Sequence, residues 1–91
     1  MKRIAIIETE KAGRLMKALC NHFARKITAS YEGDKGYIKF QDGTCELTAT
    51  AISLTLQVEA DDIESHTRVK EVVVNHLLRI APDENFQIIW N

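Results

Sequence analysis

The sequence predicts an α+β fold, a two-layer sandwich in which an antiparallel sheet carries two helices on one face. Two stretches, residues 10–26 and 62–81, have apolar side chains at helical spacing. The residues between them alternate apolar and polar and are interrupted by glycine-containing turns, which is typical of consecutive hairpins. Because consecutive hairpins form an antiparallel sheet, both helices are expected to cover one of its faces.

The first half of the chain predicts a strand, a helix and a meander. Residues 3–8 are β-branched and uninterrupted, which favours a buried or half-buried strand. Thr9 can cap the helix over residues 10–26, whose apolar stripe consists of Ala12, Leu15, Met16, Leu19 and Phe23. Turns at residues 33–36 and 42–43 then separate the four strands of the meander, predicted at 27–32, 37–41, 44–51 and 54–59.

The second helix is predicted over residues 62–81 and is the element around which the sheet is organised. Asp61 or Asp62 marks its start and Pro82 its end. Its apolar stripe consists of Val69, Val72, Val73, His76, Leu77 and Ile80. His76 therefore lies in the middle of an apolar face that is expected to contact the sheet. A closing strand is predicted over residues 86–90.

Length and composition indicate a single domain covering residues 1–91. The net charge of −1 provides no field that would attract nucleic acid or an anionic membrane, so neither is expected as a partner. No apolar run approaches the length of a membrane span. The two cysteines are too few for a disulfide scaffold, which predicts a cytoplasmic protein with reduced thiols.

A set of residues spread over the chain resembles a known family. It consists of Leu19-Cys20, His22-Phe23, Lys26, Gly36, Ile38, Phe40, Gly43, Cys45, Leu47, Leu54, Val72-Val73, His76-Leu77, Arg79 and Trp90. Together these residues resemble the small bacterial proteins of domain of unknown function 2218. The resemblance implies a fold similar to the TATA-binding-protein type, with a curved antiparallel sheet and two helices, and a link to iron-siderophore metabolism. It implies no catalytic residue, because the activity of the family is unknown.

Two positions depart from the pattern of that family. Ile80 stands where its members tend to have an aromatic residue, and Arg25 where they often have histidine. The second departure argues against any metal site of the family that would need that histidine.

Cys20, Cys45 and His76 are the candidate metal or thiol site. Thiolates and imidazole suit zinc, copper or ferrous iron, and a cysteine beside a histidine can also act as a nucleophile with its base. His22 is not expected to join Cys20, because residues two apart on a helix point roughly 200° apart. In the alternative interpretation both thiols are buried as small hydrophobic groups, and His76 is a buried neutral imidazole with a lowered pKa. No metal or other cofactor is then needed.

The polar face of the predicted sheet is the candidate binding surface. Its proposed contact residues are Tyr37, Lys39, Thr48, Thr50 and Thr55. Threonine is a good strand former, so its abundance is also compatible with a merely solvated face. We expect a non-enzymatic module that binds a small ligand, another protein or a second copy of itself through this face. The rival hypothesis is a transition-metal or thiol-dependent protein.

Overall fold

The computed structural model describes residues 1–91 and contains five strands and two helices. Their order is β1 (Lys2–Glu8), α1 (Ala12–Phe23), β2 (Thr28–Glu32), β3 (Lys35–Lys39), β4 (Gly43–Ala49), β5 (Ser53–Ala60) and α2 (Ile63–Ile80). The strands form one sheet in the order β1-β5-β4-β3-β2, and every neighbouring pair is antiparallel. Both helices contact each other and the same sheet, which confirms the predicted α+β class.

The core lies between the helices and one face of the sheet. Alternate residues of β4 and β5 are buried while their neighbours are not, so each strand turns one face towards the helices. Nine apolar side chains at predicted helix and strand positions are buried, namely Leu15, Leu19, Phe23, Leu47, Leu54, Leu56, Val69, Val73 and Leu77. Val72, His76 and Ile80 of the predicted stripe of α2 are not buried. The helices therefore lie on one face, and the opposite face of the sheet is uncovered.

The ends of the helices follow from local hydrogen bonds. The Asp62 side chain accepts a hydrogen bond from the Ser65 backbone N–H at 2.8 Å, which caps α2 as predicted. Helix α1 begins later than expected, because Thr9 accepts from the Lys11 N–H and forms a turn that precedes the helix. It also ends earlier, since the backbone N–H groups of Lys26 and Ile27 both donate to the Phe23 carbonyl.

Glycine allows two close features of the hairpins. Gly33 has a φ of 61° and forms the turn between β2 and β3, a conformation that other residues rarely adopt. Gly36, predicted within that turn, instead lies in β3 under α1. A Cβ atom at Gly36 would lie 3.0 Å from the Cys20 Sγ and 3.1 Å from the Met16 Cγ. The missing side chain thus lets α1 lie close to the backbone of β3.

The closing strand predicted over residues 86–90 does not form along its full length, so this prediction is wrong. Only Trp90 makes a bridge, opposite Ala5, and the backbones of Asn91 and Ile4 exchange two hydrogen bonds beside it. The side chains of Phe86, Ile88 and Trp90 are half-buried against the core. Side-chain packing holds this segment along the free edge of β1, and strand pairing is limited to its end.

None of the helices is both long and apolar enough to cross a membrane.

Candidate functional site: an open sheet face and a histidine pocket

The open sheet face consists of the strand side chains that point away from the helices. Four of the predicted contact residues, Tyr37, Lys39, Thr48 and Thr55, belong to strand positions on this face. Thr48 and Thr55 pair directly across β4 and β5, one row from the central pair of Glu46 and Gln57. A shallow depression of about 580 Å³ lies beside them between β2, β3 and β4, and Tyr37 and Thr48 contribute to its lining.

Thr50 was predicted to lie on the open sheet face, and this prediction is wrong. Strand β4 ends at Ala49, and Thr50 lies in the turn that leads to β5. Its hydroxyl accepts hydrogen bonds from the backbone N–H groups of Ser53 at 2.9 Å and Ile52 at 3.2 Å. The hydroxyl is therefore used to stabilise a turn, which is a common role of threonine.

Two apolar residues on the open sheet face were missed by the sequence analysis. Ile4 pairs with Gln57 and Ile6 with Thr55, so both point away from the helices. Ile6 is 58% exposed, which is high for an isoleucine in a strand. The alternation of these two residues with the buried Ala5 and Ile7 was the available signal. An uninterrupted apolar strand gives little indication of which side is buried.

The open sheet face carries both charges, and two hydrogen bonds connect its polar side chains. Gln57 Nε2 donates to Glu46 Oε2 at 3.0 Å, and Lys35 Nζ donates to Thr48 Oγ1 at 3.4 Å. The charged side chains on the face are Lys2, Lys35, Lys39, Glu8, Glu32, Glu46 and Glu59. Positive and negative groups are thus nearly balanced, and the face has no strong field of one sign.

The structure brings the two thiols together beneath α1. Both are free and buried, and Cys20 lies against Gly36 of β3 while Cys45 lies on the neighbouring strand. Burial raises the pKa of Cys20, and the backbone N–H of Tyr37 offsets part of that rise. Burial, followed by the charges of Cys20 and Glu46, raises the pKa of Cys45 to about 12. Because the thiolate is the reactive form, both thiols are poor nucleophiles at neutral pH.

His76 lies away from the thiols, contrary to the predicted contact with the sheet. Its ring centroid is 4.7 Å from that of His22 and 4.7 Å from that of Phe23, both on α1. Its Nδ1–H donates to the Val72 carbonyl of the preceding turn at 2.7 Å. By the helical period His76 lies roughly 100° from Leu77, so it faces the neighbouring helix. No three histidine, cysteine or acidic side chains converge in a metal-holding group anywhere in the chain.

His66 has the buried role that the sequence analysis gave to His76. It is 1% exposed, and its Nε2–H donates to the Val58 carbonyl of β5 at 3.0 Å. Burial lowers its pKa more than this hydrogen bond raises it, and the positive charges of Lys70, Arg3 and the N-terminus lower it further. The buried stripe of α2 therefore begins about one turn earlier than predicted and runs through His66, Val69, Val73 and Leu77.

The histidine pocket is a cavity of about 490 Å³ at the end of α1. Its lining consists of His22, Phe23, Arg25, Lys26, Ile27, Phe40, Val72 and His76. The rings of Phe23 and Phe40 meet edge to face at 5.1 Å and form its apolar floor. Desolvation, and then the charges of His76, Arg25, Arg79 and Lys26, lower the pKa of His22.

Sequence spacing alone does not reveal this pocket, because it relates His22 only to near neighbours such as Cys20. The spacing that turns His22 away from Cys20 turns it towards α2. The partner it meets there, His76, is 54 positions further along the chain and depends on how the helices pack.

The fold and these two regions define a small α+β domain with an uncovered sheet face and a separate pocket between its helices. The chain belongs to the family described as an uncharacterized protein conserved in bacteria (DUF2218), whose model matches residues 4–91. It is similar to the NMR structure of PA4090 from Pseudomonas aeruginosa, with 30% identity and a TM-score of 0.83. That match covers 99% of this chain and 94% of the other. No curated protein matches the chain. The predicted family is thereby confirmed.

Proposed function

We propose that this protein is a cytoplasmic, non-enzymatic binding module whose open sheet face binds a second copy of itself. The observation that carries the proposal is the uncovered face of a five-stranded sheet, with Ile6 and Tyr37 exposed on it. A small domain has a thin core, and covering such a face with a two-fold copy is the simplest way to bury more apolar surface.

The size of the face indicates a weak dimer. Five strands about 4.8 Å apart and about seven residues long span roughly 24 by 23 Å. Such an area, roughly 500 Å² on each copy, is at the low end of specific interfaces. We therefore expect a dissociation constant in the micromolar range and not the tight association of an obligate dimer.

The charges of the face support a second copy as the partner. A two-fold axis along β4 would place β3 of one copy over β5 of the other. Lys39 of each copy would then lie opposite Glu59 of the other, since these residues occupy the same row of the sheet as Thr44. The same axis brings the two copies of Glu46 together, which limits the affinity.

Two finer predictions from the family resemblance remain part of this proposal. A sheet of the TATA-binding-protein type would be curved into a saddle, which suits a partner that covers its open side. A link to iron-siderophore metabolism would supply the process in which the module acts. Neither prediction identifies the partner, because a fold supports many functions.

A transition-metal or thiol-dependent protein using Cys20, Cys45 and His76 is supported less well. His76 contacts His22 and Phe23 and does not converge with the two thiols in a metal-holding group. The raised pKa values of both cysteines also disfavour the thiolate that metals and electrophiles require. Metal analysis of protein purified without an affinity tag tests this rival directly. Stoichiometric metal that is lost in His76→Gln would favour it over the binding module.

The oligomeric state of a charge-altered face tests the proposal. Thr48→Glu combined with Thr55→Glu adds two negative charges on the two inner strands β4 and β5 of the open sheet face. Sedimentation velocity over a concentration series should show a monomer–dimer equilibrium for the natural protein and a monomer for this double variant. Circular dichroism should show that both proteins fold equally well.

A matched control separates local from global charge. Arg14→Glu also changes the net charge by two, but Arg14 is exposed on α1, away from the sheet face. It should leave the equilibrium as it is in the natural protein. A natural protein that stays monomeric at about 1 mM would contradict a micromolar dimer, and equal loss of the dimer in Arg14→Glu would contradict the assignment to this face.

A further inference from the structure

We propose that the histidine pocket binds a small aromatic carboxylate. The site is independent of the open sheet face, since it is formed by the end of α1, the segment that enters β2, the turn after β3, and α2. Its volume of about 490 Å³ lies in the range of cavities that hold small organic molecules.

The floor of the pocket suits a planar apolar group. Phe23 and Phe40 meet edge to face, and Ile27 and Val72 extend the apolar lining on either side. Val72 is 37% exposed although it lies beside the core. An aromatic ring placed here would cover these side chains and make the offset contacts that aromatic groups prefer.

The rim of the pocket is positive and lacks any acidic partner. Arg25 and Lys26 line it, Arg79 lies close enough to lower the pKa of His22, and no carboxylate is among the lining residues. The only two ion pairs in the protein are Lys11–Glu84 and Arg68–Asp42, so Arg25 and Lys26 on the rim and the nearby Arg79 are all unpaired.

Cations near a helix C-terminus also stabilise the helix, but that role does not account for all three. A C-terminus carries roughly half a negative charge, so even the ends of both helices balance only one of the three positive charges. The remainder attracts an anion. A carboxylate is favoured over phosphate, because the partial negative charge of the α1 C-terminus opposes a doubly charged anion more strongly than a singly charged one.

The histidines make a metal ion a poor alternative and give the site a pH dependence. The pocket offers two imidazoles and no thiol or carboxylate, and the positive charges of Arg25 and Lys26 would repel a metal ion. The charged and titratable groups around His22 are Arg25 and Lys26 beyond α1, and His76 and Arg79 on α2. On the other sides, Asp42 is paired with Arg68, and Glu71 lines a neighbouring depression. A bound carboxylate would offset the positive charges that oppose protonation of His22, so binding should take up a proton and be tighter at pH 6 than at pH 8.

Titration of the protein with 2-naphthoate, followed by amide NMR, tests the proposal. The resonances that move should be those of the pocket, including Phe23, Phe40 and His76. The neutral analogue 2-naphthamide should bind at least about tenfold more weakly, because it lacks the charge that Arg25 would pair with. The preference for pH 6 should disappear in His22→Gln.

Two arginine variants of the same helix region provide the control. Arg25→Gln should weaken the binding of 2-naphthoate about five- to tenfold, whereas Arg14→Gln, outside the pocket, should leave it unchanged. Equal weakening by both substitutions, equal binding of the naphthamide, or shifts scattered over the sheet would each overturn the proposal. These outcomes are independent of whether the open sheet face forms a dimer.

Discussion

The open sheet face and the histidine pocket differ in how their charged groups are balanced. On the face, lysines and glutamates are interspersed, and polar side chains such as Gln57 and Glu46 bond to each other. In the pocket, positive groups surround an apolar floor, and no acidic side chain lines the pocket to pair with them. A balanced surface suits a self-complementary partner, whereas an unbalanced concavity suits a small ligand of opposite charge. The two regions are therefore expected to respond to different substitutions.

The reactivity of the two buried cysteines distinguishes the binding module from the thiol-dependent rival. Because the pKa of Cys45 is raised from 9.0 to about 12, its thiolate fraction at pH 8 is about a thousandfold below that of an unperturbed cysteine. Cys45 should therefore react with a disulfide reagent at least about a thousandfold more slowly in the native protein than after unfolding, and Cys20 should also be slow. Stopped-flow thiol titration checks this. Rapid reaction of the native protein would instead support the thiol-dependent rival.

Two adjacent leucines test which face of α2 is buried, since this helix both packs on the sheet and lines the histidine pocket. Leu77 is fully buried, whereas Leu78 is 42% exposed. Leu77→Ala should lower the free energy of unfolding by about 2–5 kcal/mol through the cavity it leaves, and Leu78→Ala by less than about 0.5 kcal/mol. Urea denaturation measures both. Similar losses in the two variants would mean that the buried stripe of α2 is assigned to the wrong face.

Much of the fold could be predicted because local signals agree with its packing. The Asp62 cap, the Gly33 turn and the alternation in β4 and β5 each act over a few residues. The buried face of α2 was harder to predict, because Val72, Val73 and Val74 are consecutive apolar residues and allow an apolar stripe on either side of the helix. The closing strand failed for a different reason. Residues 86–90 have strand-like composition, but whether an edge is available for pairing depends on distant residues.

Substitutions of His66 and His76, both on α2, should have different effects on stability at acid pH, because only His66 lies in the core. His66 is buried with a lowered pKa, so the unfolded chain takes up a proton more readily than the native protein as the pH falls below about 6.5. The stability that depends on neutral His66 is thus present above this range and is lost below it. His66→Gln should remove this part of the acid sensitivity, while His76→Gln should retain it. Denaturation curves between pH 5 and pH 8 check the difference, and a reversed assignment would contradict it.

The candidate sites could be predicted only in part. Tyr37, Lys39, Thr48 and Thr55 were located correctly from the period of two in a strand. Thr50 was misplaced because one residue decides where a strand ends and a turn begins. The pair of His22 and His76 could not be found from spacing, since it depends on how two helices distant in sequence meet.

Glu46 provides the smallest expected effect and concerns only the open sheet face. If two copies meet about an axis along β4, their Glu46 carboxylates repel each other. Glu46→Gln should then tighten the dimer about two- to fivefold, because the amide oxygen can still accept from Gln57 without the charge. Sedimentation equilibrium measures the change. A weaker dimer would exclude this axis.

The most direct test of self-association through the open sheet face is an amide NMR dilution series of the natural protein, with no ligand added. Dilution from about 1 mM to about 20 µM spans dissociation constants of tens to hundreds of micromolar, the range expected for so small an interface. A dimer through this face should give progressive shifts for residues of the open sheet face, including Ile6, Tyr37, Thr48 and Thr55, and constant resonances for the histidine pocket. Spectra that do not change with concentration, or shifts confined to α1 and α2, would contradict it.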